Sequence, residues 1–397
     1  MPPTVFRRQS LAGCYTAMLV IGLLMSVYGP LVTEFRDRFE LTESSAGAAL
    51  GTQSVGAVIG VLLAQQALRR WGNRATVTAA LALITLGAVT ISAAPAWAAL
   101  LAGTAVAGLG FGAVDSTVTQ IILTGSGARG PSRANIAHAW FGIGTVTGPV
   151  LVAACGAGQW RLIFAGAAVV TVVAAWAATG LAARPTPIDA ASEPGTSPSP
   201  AGSRRTPLFA FVIAGFLLLY LTHFAVQSAI GTWAPAVLES EDGFSSTTAT
   251  LTVSGYWLMM VVGRFGAAAL TRRFSAGQVT TAASVGLAVA VALTMWGGAS
   301  PWSYLLAGLF LGPIFPTGMA WMTTSGHNTG NSLAYVIAGA MVGMAVAPVG
   351  VGAVIGSAGT ASAPAVFTVL SLTVLGSATL TALMTGRSNR RSPLTEK

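Results

Sequence analysis

Residues 100–149 read LLAGTAVAGLGFGAVDSTVTQIILTGSGARGPSRANIAHAWFGIGTVTGP, two apolar runs parted by a short basic turn. Within the first run stands a lone carboxylate, Asp115. Each run is long enough to cross about 30 Å of hydrocarbon as a helix. A carboxylate at that depth is costly to keep ionised, so it marks a functional site unless a buried ion pair or a helix-end position explains it. Gly108, Gly110 and Gly112 precede the acid and remove side chains on neighbouring turns, so that another helix can approach closely while the acid faces a cavity. After the acid come Arg129 and Arg133 in the turn, then Asn135 and His138, then Gly142, Gly144, Gly148 and Pro149.

Outward from this stretch the same pattern repeats. Apolar runs fall at 11–33, 46–67, 75–93, 97–123, 134–157 and 160–183, and again at 208–233, 246–270, 277–297, 301–324, 331–356 and 363–385. Twelve spans are expected, in an all-α membrane protein. Only 8% of the residues are charged, against about a quarter in soluble domains, which excludes an ordinary soluble fold. Residues 184–206, RPTPIDAASEPGTSPSPAGSRRT, are too rich in Pro, Ser and Gly to bury a core and read as a disordered linker. The expected organisation is a six-helix bundle over 1–183, the linker over 184–206, and a second six-helix bundle with a short tail over 207–397.

The halves echo each other. YGPLVTE at 28–34 returns as WAPAVLE at 233–239, LLAG at 100 returns at 305, and LRRWGNR at 68–74 returns as TRRFSAG at 271–277. Near-constant spacing of the three echoes argues for duplication, and internal repeats in transporters place the binding site between the halves.

The net charge of +9 forms no single basic patch of the kind that binds nucleic acid. Arg7, Arg8, Arg69, Arg70, Arg74, Arg129, Arg133, Arg184, Arg204, Arg205, Arg272, Arg273, Arg387, Arg390, Arg391 and Lys397 all fall on the side of the two termini, and only Arg36, Arg38 and Arg161 fall opposite. By the positive-inside rule both termini are cytoplasmic; the bacterial cytoplasmic membrane is the expected location. Cys14 and Cys155 sit at opposite ends of their spans, which excludes a disulfide between them. No nucleotide loop, zinc spacing or Ser-His-Asp arrangement occurs, so neither a cofactor nor an enzymatic activity is expected.

Other polar groups stand inside the spans. Tyr220, His223 and Gln227, at spacings of three and four, share one face of helix 7 and read as a cavity wall, ahead of Trp233. Helix 10 contains GLFLGPIFPTGMAWMTT, in which Pro313 and Pro316 each delete a backbone donor. A helix broken in this way is tolerated in lipid where it packs in protein or lines a cavity. Arg264 in helix 8 either pairs with an acid or carbonyls on the inner side, or extends to the cytoplasmic interface.

The runs GLGFGAVD and RANIAHAWFGIG resemble helices 4 and 5 of the fucose and glucose symporter group of the major facilitator superfamily. The GRFG run around Arg264 and the Gly-x-x-Phe-Pro run of helix 10 are similar to the same group. The resemblance implies two pseudo-symmetric bundles working by alternating access, with Asp115 as the proton-coupling or substrate-gating acid and His138 where relatives carry a Gln or His. It also implies that Thr317 and Trp321 face the solute; Asn135, Tyr220, His223 and Gln227 are expected to join them, and Gly108, Gly110, Gly112, Gly148, Pro149, Arg264, Pro313 and Pro316 are expected to shape or gate the path. Arg69 and Arg272 occupy the place where the superfamily's signature loop carries an acid, so those loops read as charge anchors. The implied activity is proton-coupled uptake of a sugar or similar small polar solute by a monomer in the bilayer. A proton-driven exporter of the same fold is a second reading, since Gly144, Gly148 and Pro149 match part of the antiporter motif; a non-transporting sensor is a third.

Overall fold

The computed structural model describes residues 6–126, 130–182, 207–296, 300–325 and 330–390; the expected linker over 184–206 lies outside them. Among the described residues every regular element is a helix. In lipid this is what the backbone demands, because a helix satisfies its N–H and C=O groups within one segment. Among the described residues ten segments are long and apolar enough to cross a membrane. One of them, Glu43–Ala93, holds two helices, and Ser246–Leu270 is a twelfth helix that falls short of that apolarity.

The first span, α1, runs Arg8–Ser26 and continues as Tyr28–Phe39 beyond a step at Val27. Pro30 has no N–H to give the Ser26 carbonyl, which interrupts the ladder at that step. Helices α2 (48–71) and α3 (73–93) are joined by Gly72 alone, at φ 78°, ψ 179°. Only glycine adopts that conformation without strain, so one residue reverses the chain. Then come α4 (Trp97–Gly125), α5 (Gly130–Cys155) and α6 (Trp160–Ala178). The second half contains α7 (Pro207–Ser240), α8 (Ser246–Leu270), α9 (Ala276–Ala292), α10 (Ser300–Thr324), α11 (Gly330–Ala358) and α12 (Ala363–Arg390).

The halves are built alike. In the first, Gly56 and Gly60 of α2 meet Gly108 and Gly112 of α4 with helix backbones in contact, and Gly22 of α1 meets Gly144 of α5. In the second, Gly263 of α8 fits against α10, Gly308 and Gly312 of α10 fit against α8, and Gly343 of α11 fits against α7. Small residues at these crossings let dispersion contacts and backbone proximity hold helices together where no hydrophobic drive exists. A further echo lies at the ends of α5 and α11, where Gly156 (φ 85°) and Gly359 (φ 82°) each stop the helix before a short 3-10 turn.

An even number of spans puts both ends of the described chain on one face, the terminal face; the opposite face is called distal. The bundles meet in the distal half. Gly29 of α1 crosses Gly231 of α7, Gly47 ahead of α2 abuts Pro348 of α11, and Gly142 of α5 abuts Val261 of α8. Ser254 of α8 donates to the Val146 carbonyl of α5 at 2.9 Å, and Ser44 donates to Val349 of α11 at 3.4 Å. Trp233 of α7 donates through Nε1 to the Pro348 carbonyl at 2.8 Å, and its ring reaches Gly47. These contacts between the bundles run from the distal face to mid-membrane, where Gly142 meets Val261.

Candidate functional site

Asp115 belongs to the stripe Gly108, Gly112, Asp115, spaced four and three residues apart, so that all three project from one side of α4. A side chain at Gly108 would strike the Gln53 carbonyl and one at Gly112 the Ala57 carbonyl, both on α2; one at Gly110 would strike Ala80 on α3. The glycines thus wedge α4 between α2 and α3 and leave the acid, one turn further on, at the edge of that contact.

Phe111 and Phe141 meet edge to face with centroids 6.4 Å apart, which sets the register of α4 against α5. One turn toward the terminal face from each ring stands Asp115 on α4 and His138 on α5. Asp115 is half-buried and His138 exposed. The imidazole acts electrostatically on the carboxylate, yet among the described residues no ion pair joins them. The explanation by a buried salt bridge therefore has no support here. Asn135 lies one turn before His138 on α5; its side chain is outside the described residues.

The same face of α5 carries His138, Gly142 and Val146. The latter two touch α8, and the exposed His138 stands one turn beyond that contact toward the terminal face. Opposite, three residues beyond Val261, is Arg264. Its guanidinium turns back toward Met260, with Nη2 at 3.7 Å from the sulfur, instead of extending to the terminal interface. A side chain in a helix leans toward the N-terminus, and the N-terminus of α8 is distal, so the charge points to mid-membrane. His223 of α7 and Tyr256 of α8 lie within its electrostatic reach.

Tyr220, His223 and Gln227 are buried on α7. Tyr220 donates to the Phe315 carbonyl of α10 at 2.8 Å and stacks edge-on against the Phe315 ring at 5.5 Å. His223 lies edge-on to Phe224 at 5.0 Å and to Tyr220 at 6.4 Å, and its Nδ1 has no hydrogen-bond partner among the described residues. The Tyr256 hydroxyl donates to the main-chain carbonyl of Gln227 at 3.3 Å. The α7 face thus does two jobs: Tyr220 ties α7 to α10, while His223 retains hydrogen-bonding capacity.

Thr317 and Trp321 are held within the second bundle. The Thr317 hydroxyl is 2.8 Å from that of Thr280 on α9 and donates to the Pro313 carbonyl at 2.8 Å. Trp321 is edge-on to Phe216 of α7 at 5.1 Å and lies against Gly277 of α9. Pro313 and Pro316 leave α10 continuous over Ser300–Thr324, correcting the expectation of a break. Each removes one donor, but the ladder resumes on both sides, and the Leu309 carbonyl that Pro313 frees is packed on Gly263 of α8. Gly148 packs on Ser26 and Leu23 of α1, and Pro149, also buried, follows it.

Sequence reasoning missed Tyr256 and Trp257 on α8, both buried; the Trp257 indole nitrogen has no partner among the described residues, and the ring lies on Gly231 at the α1–α7 crossing. Gln53 of α2 was missed too; its amide donates weakly to Leu24 at 3.5 Å and its carbonyl oxygen is unpartnered among the described residues. A polar amide in an apolar run was the available signal.

Two like-built sets of six helices, packed on each other from the distal face to mid-membrane, make up an all-helical membrane protein. The sequence model of the Major Facilitator Superfamily matches residues 14–348, and the chain belongs to that superfamily of non-enzymatic transporters. No curated protein sequence matches the chain. Among solved structures it is similar to a point mutant of the nucleoside transporter NupG, at 14% identity and a TM-score of 0.76, covering 95% of this chain and 100% of that one. It is similar to a D-xylose-proton symporter at 15% identity and TM-score 0.73, covering 94% and 96%. A bacterial homolog of the human lysosomal transporter Spinster, inward-facing and unoccupied, shares 13% identity at TM-score 0.73, with 99% and 100% covered. At these identities the likeness is one of fold.

Proposed function

We propose that this superfamily transporter is a proton-coupled symporter that takes up a small polar solute, such as a sugar, through the cleft between its bundles. One observation carries the reading: Asp115, the single acid inside the apolar spans, is half-buried, has no ion-pair partner among the described residues, and lies within electrostatic reach of His138. An acid without a fixed cation is free to exchange a proton with the cleft. Protonation removes the cost of carrying the charge through an occluded state, so proton and solute cross together as populations shift. His223 and Gln227 offer hydrogen bonds from the opposite bundle. The basic residues on the terminal side support cytoplasmic termini in a bacterial cytoplasmic membrane, and with that orientation the cleft faces the cytoplasm. A monomer is complete for this cycle, since both walls of the cleft come from one chain.

The test uses purified protein in proteoliposomes carrying an imposed inward proton gradient, with labelled D-glucose, D-xylose, L-fucose and D-glucuronate. Accumulation of at least one solute above its outside concentration, abolished by a protonophore, is expected. Uptake that only equilibrates, or is indifferent to the gradient, overturns proton coupling.

A further inference from the structure

Arg264 is a cation in the spans with no ion-pair partner among the described residues. The chain has eleven acids. Glu34, Asp37, Glu40, Glu43, Glu239, Glu241 and Asp242 cluster near the distal ends of helices, and Asp189, Glu193 and Glu396 belong to the linker and tail. That leaves Asp115, across the cleft on the other bundle, and among the described residues no ion pair links it to Arg264.

The guanidinium is not at the interface, where water would hold it. It leans toward mid-membrane, its Nη2 beside the Met260 sulfur at 3.7 Å and its Nε buried without a partner among the described residues. A thioether is a weak acceptor, so five donors in a fixed fork are nearly unused. A charge kept at this depth without a partner is unfavourable unless the cycle gives it one. The surroundings suit a ligand more than a structural counter-ion: Tyr256 and His223 are within electrostatic reach, and the His223 Nδ1 is unpartnered among the described residues. The Gly142–Val261 contact covers the distal side of Arg264, and the exposed His138 of α5 lies on the terminal side of that contact.

We infer that Arg264 binds a carboxylate of the transported solute, which is therefore a small hydroxylated acid, with His223 and Gln227 receiving its hydroxyl groups. This rests on the transport reading above and narrows it. The planar fork matches a carboxylate with two parallel hydrogen bonds, which a hydroxyl group cannot supply. A solute anion entering with one proton would leave the loaded carrier with no added charge, which suits passage through a closed state.

The experiment is thermal stabilisation of the purified full-length protein by matched pairs differing in one carboxylate: D-glucuronate and D-glucose, D-gluconate and sorbitol, lactate and propane-1,2-diol. Ligand binding raises stability by mass action, so the titration gives an apparent affinity. At least one acid should stabilise, its neutral partner at least about 10-fold more weakly, as expected for losing charge-assisted hydrogen bonds. Arg264→Gln should lose that preference while its unliganded melting temperature stays near the parent's, and Arg264→Lys should fall between. Neutral members binding as well as the acids, acids binding equally to Arg264→Gln, or no acid binding at all would overturn the inference. A neutral sugar that binds and accumulates with protons would leave the transport reading standing alone. Acids that bind through Arg264 but never accumulate with protons would leave the inference standing and remove the coupling.

Discussion

Gly29→Ala should push the protein out of the conformation described here. At this crossing α1 and α7 lie backbone to backbone, and a Cβ on residue 29 would overlap the Gly231 carbonyl. A backbone cannot swing aside as a side chain can, so the helices must separate. Overpacking of one methyl group costs about 1–3 kcal/mol. The cost falls on the distally closed state alone, because the crossing exists only while the bundles meet there. The ratio of distally open to closed protein should therefore rise about 5-fold to 150-fold, at about 1.4 kcal/mol per factor of ten. Thr232, 2% exposed beside the crossing, is a suitable reporter. With Cys14 and Cys155 replaced by Ser and Thr232 by Cys, labelling by a membrane-impermeant maleimide from the distal side should speed up by at least about 5-fold when Gly29→Ala is added. An unchanged rate in protein that melts normally would show that the α1–α7 crossing does not hold the distal face shut.

Other outcomes follow from the same geometry. Trp233→Phe removes the bond to the Pro348 carbonyl and should weaken distal closure by about 1 kcal/mol, read with the same reporter as about a 5-fold faster labelling. Gly72→Ala forces a Cβ into φ 78°, ψ 179° and should lower stability by about 1–3 kcal/mol in a thermal melt; no loss would mean that the α2–α3 reversal is differently built. Cys155 is exposed at the distal end of α5, so with cytoplasmic termini an impermeant thiol reagent should label it in intact cells. Labelling only after the membrane is opened would reverse the orientation.

Much of the fold is written in the chain because lipid leaves few options. Apolar runs must become helices, and echoes such as YGPLVTE and WAPAVLE show that six helices are used twice. The reversal at Gly72 is less visible, since one glycine in a basic turn does not announce a positive φ. Ser246–Leu270 is polar for a span because it packs on the other bundle and carries Tyr256 and Arg264, so apolarity alone passes over it. At the site, depth could be counted but direction could not. Asp115 and His138 were found as rare residues in apolar runs, whereas the lean of Arg264 toward Met260 is a rotamer choice that no pattern records. Thr317 and Trp321 looked like cleft residues because polar and aromatic groups in spans draw attention, but Thr280, Gly277 and Phe216 hold them inside the second bundle. The distal closure escaped the sequence because its partners are carbonyls, at Gly231, Pro348 and Val146, which every residue has.

The measurement that bears most directly on the central claim compares two kinds of transport by Asp115→Asn in proteoliposomes, using the solute the parent protein accumulates. Asn keeps the size and hydrogen-bonding capacity of a protonated Asp115 but cannot release a proton. Accumulation driven by a proton gradient should fall to the level of empty liposomes, while exchange of labelled for unlabelled solute at equal concentrations continues within about 3-fold of the parent, a difference of under about 1 kcal/mol. Accumulation that persists in Asp115→Asn with its proton dependence intact would contradict the account and leave Asp115 a structural acid.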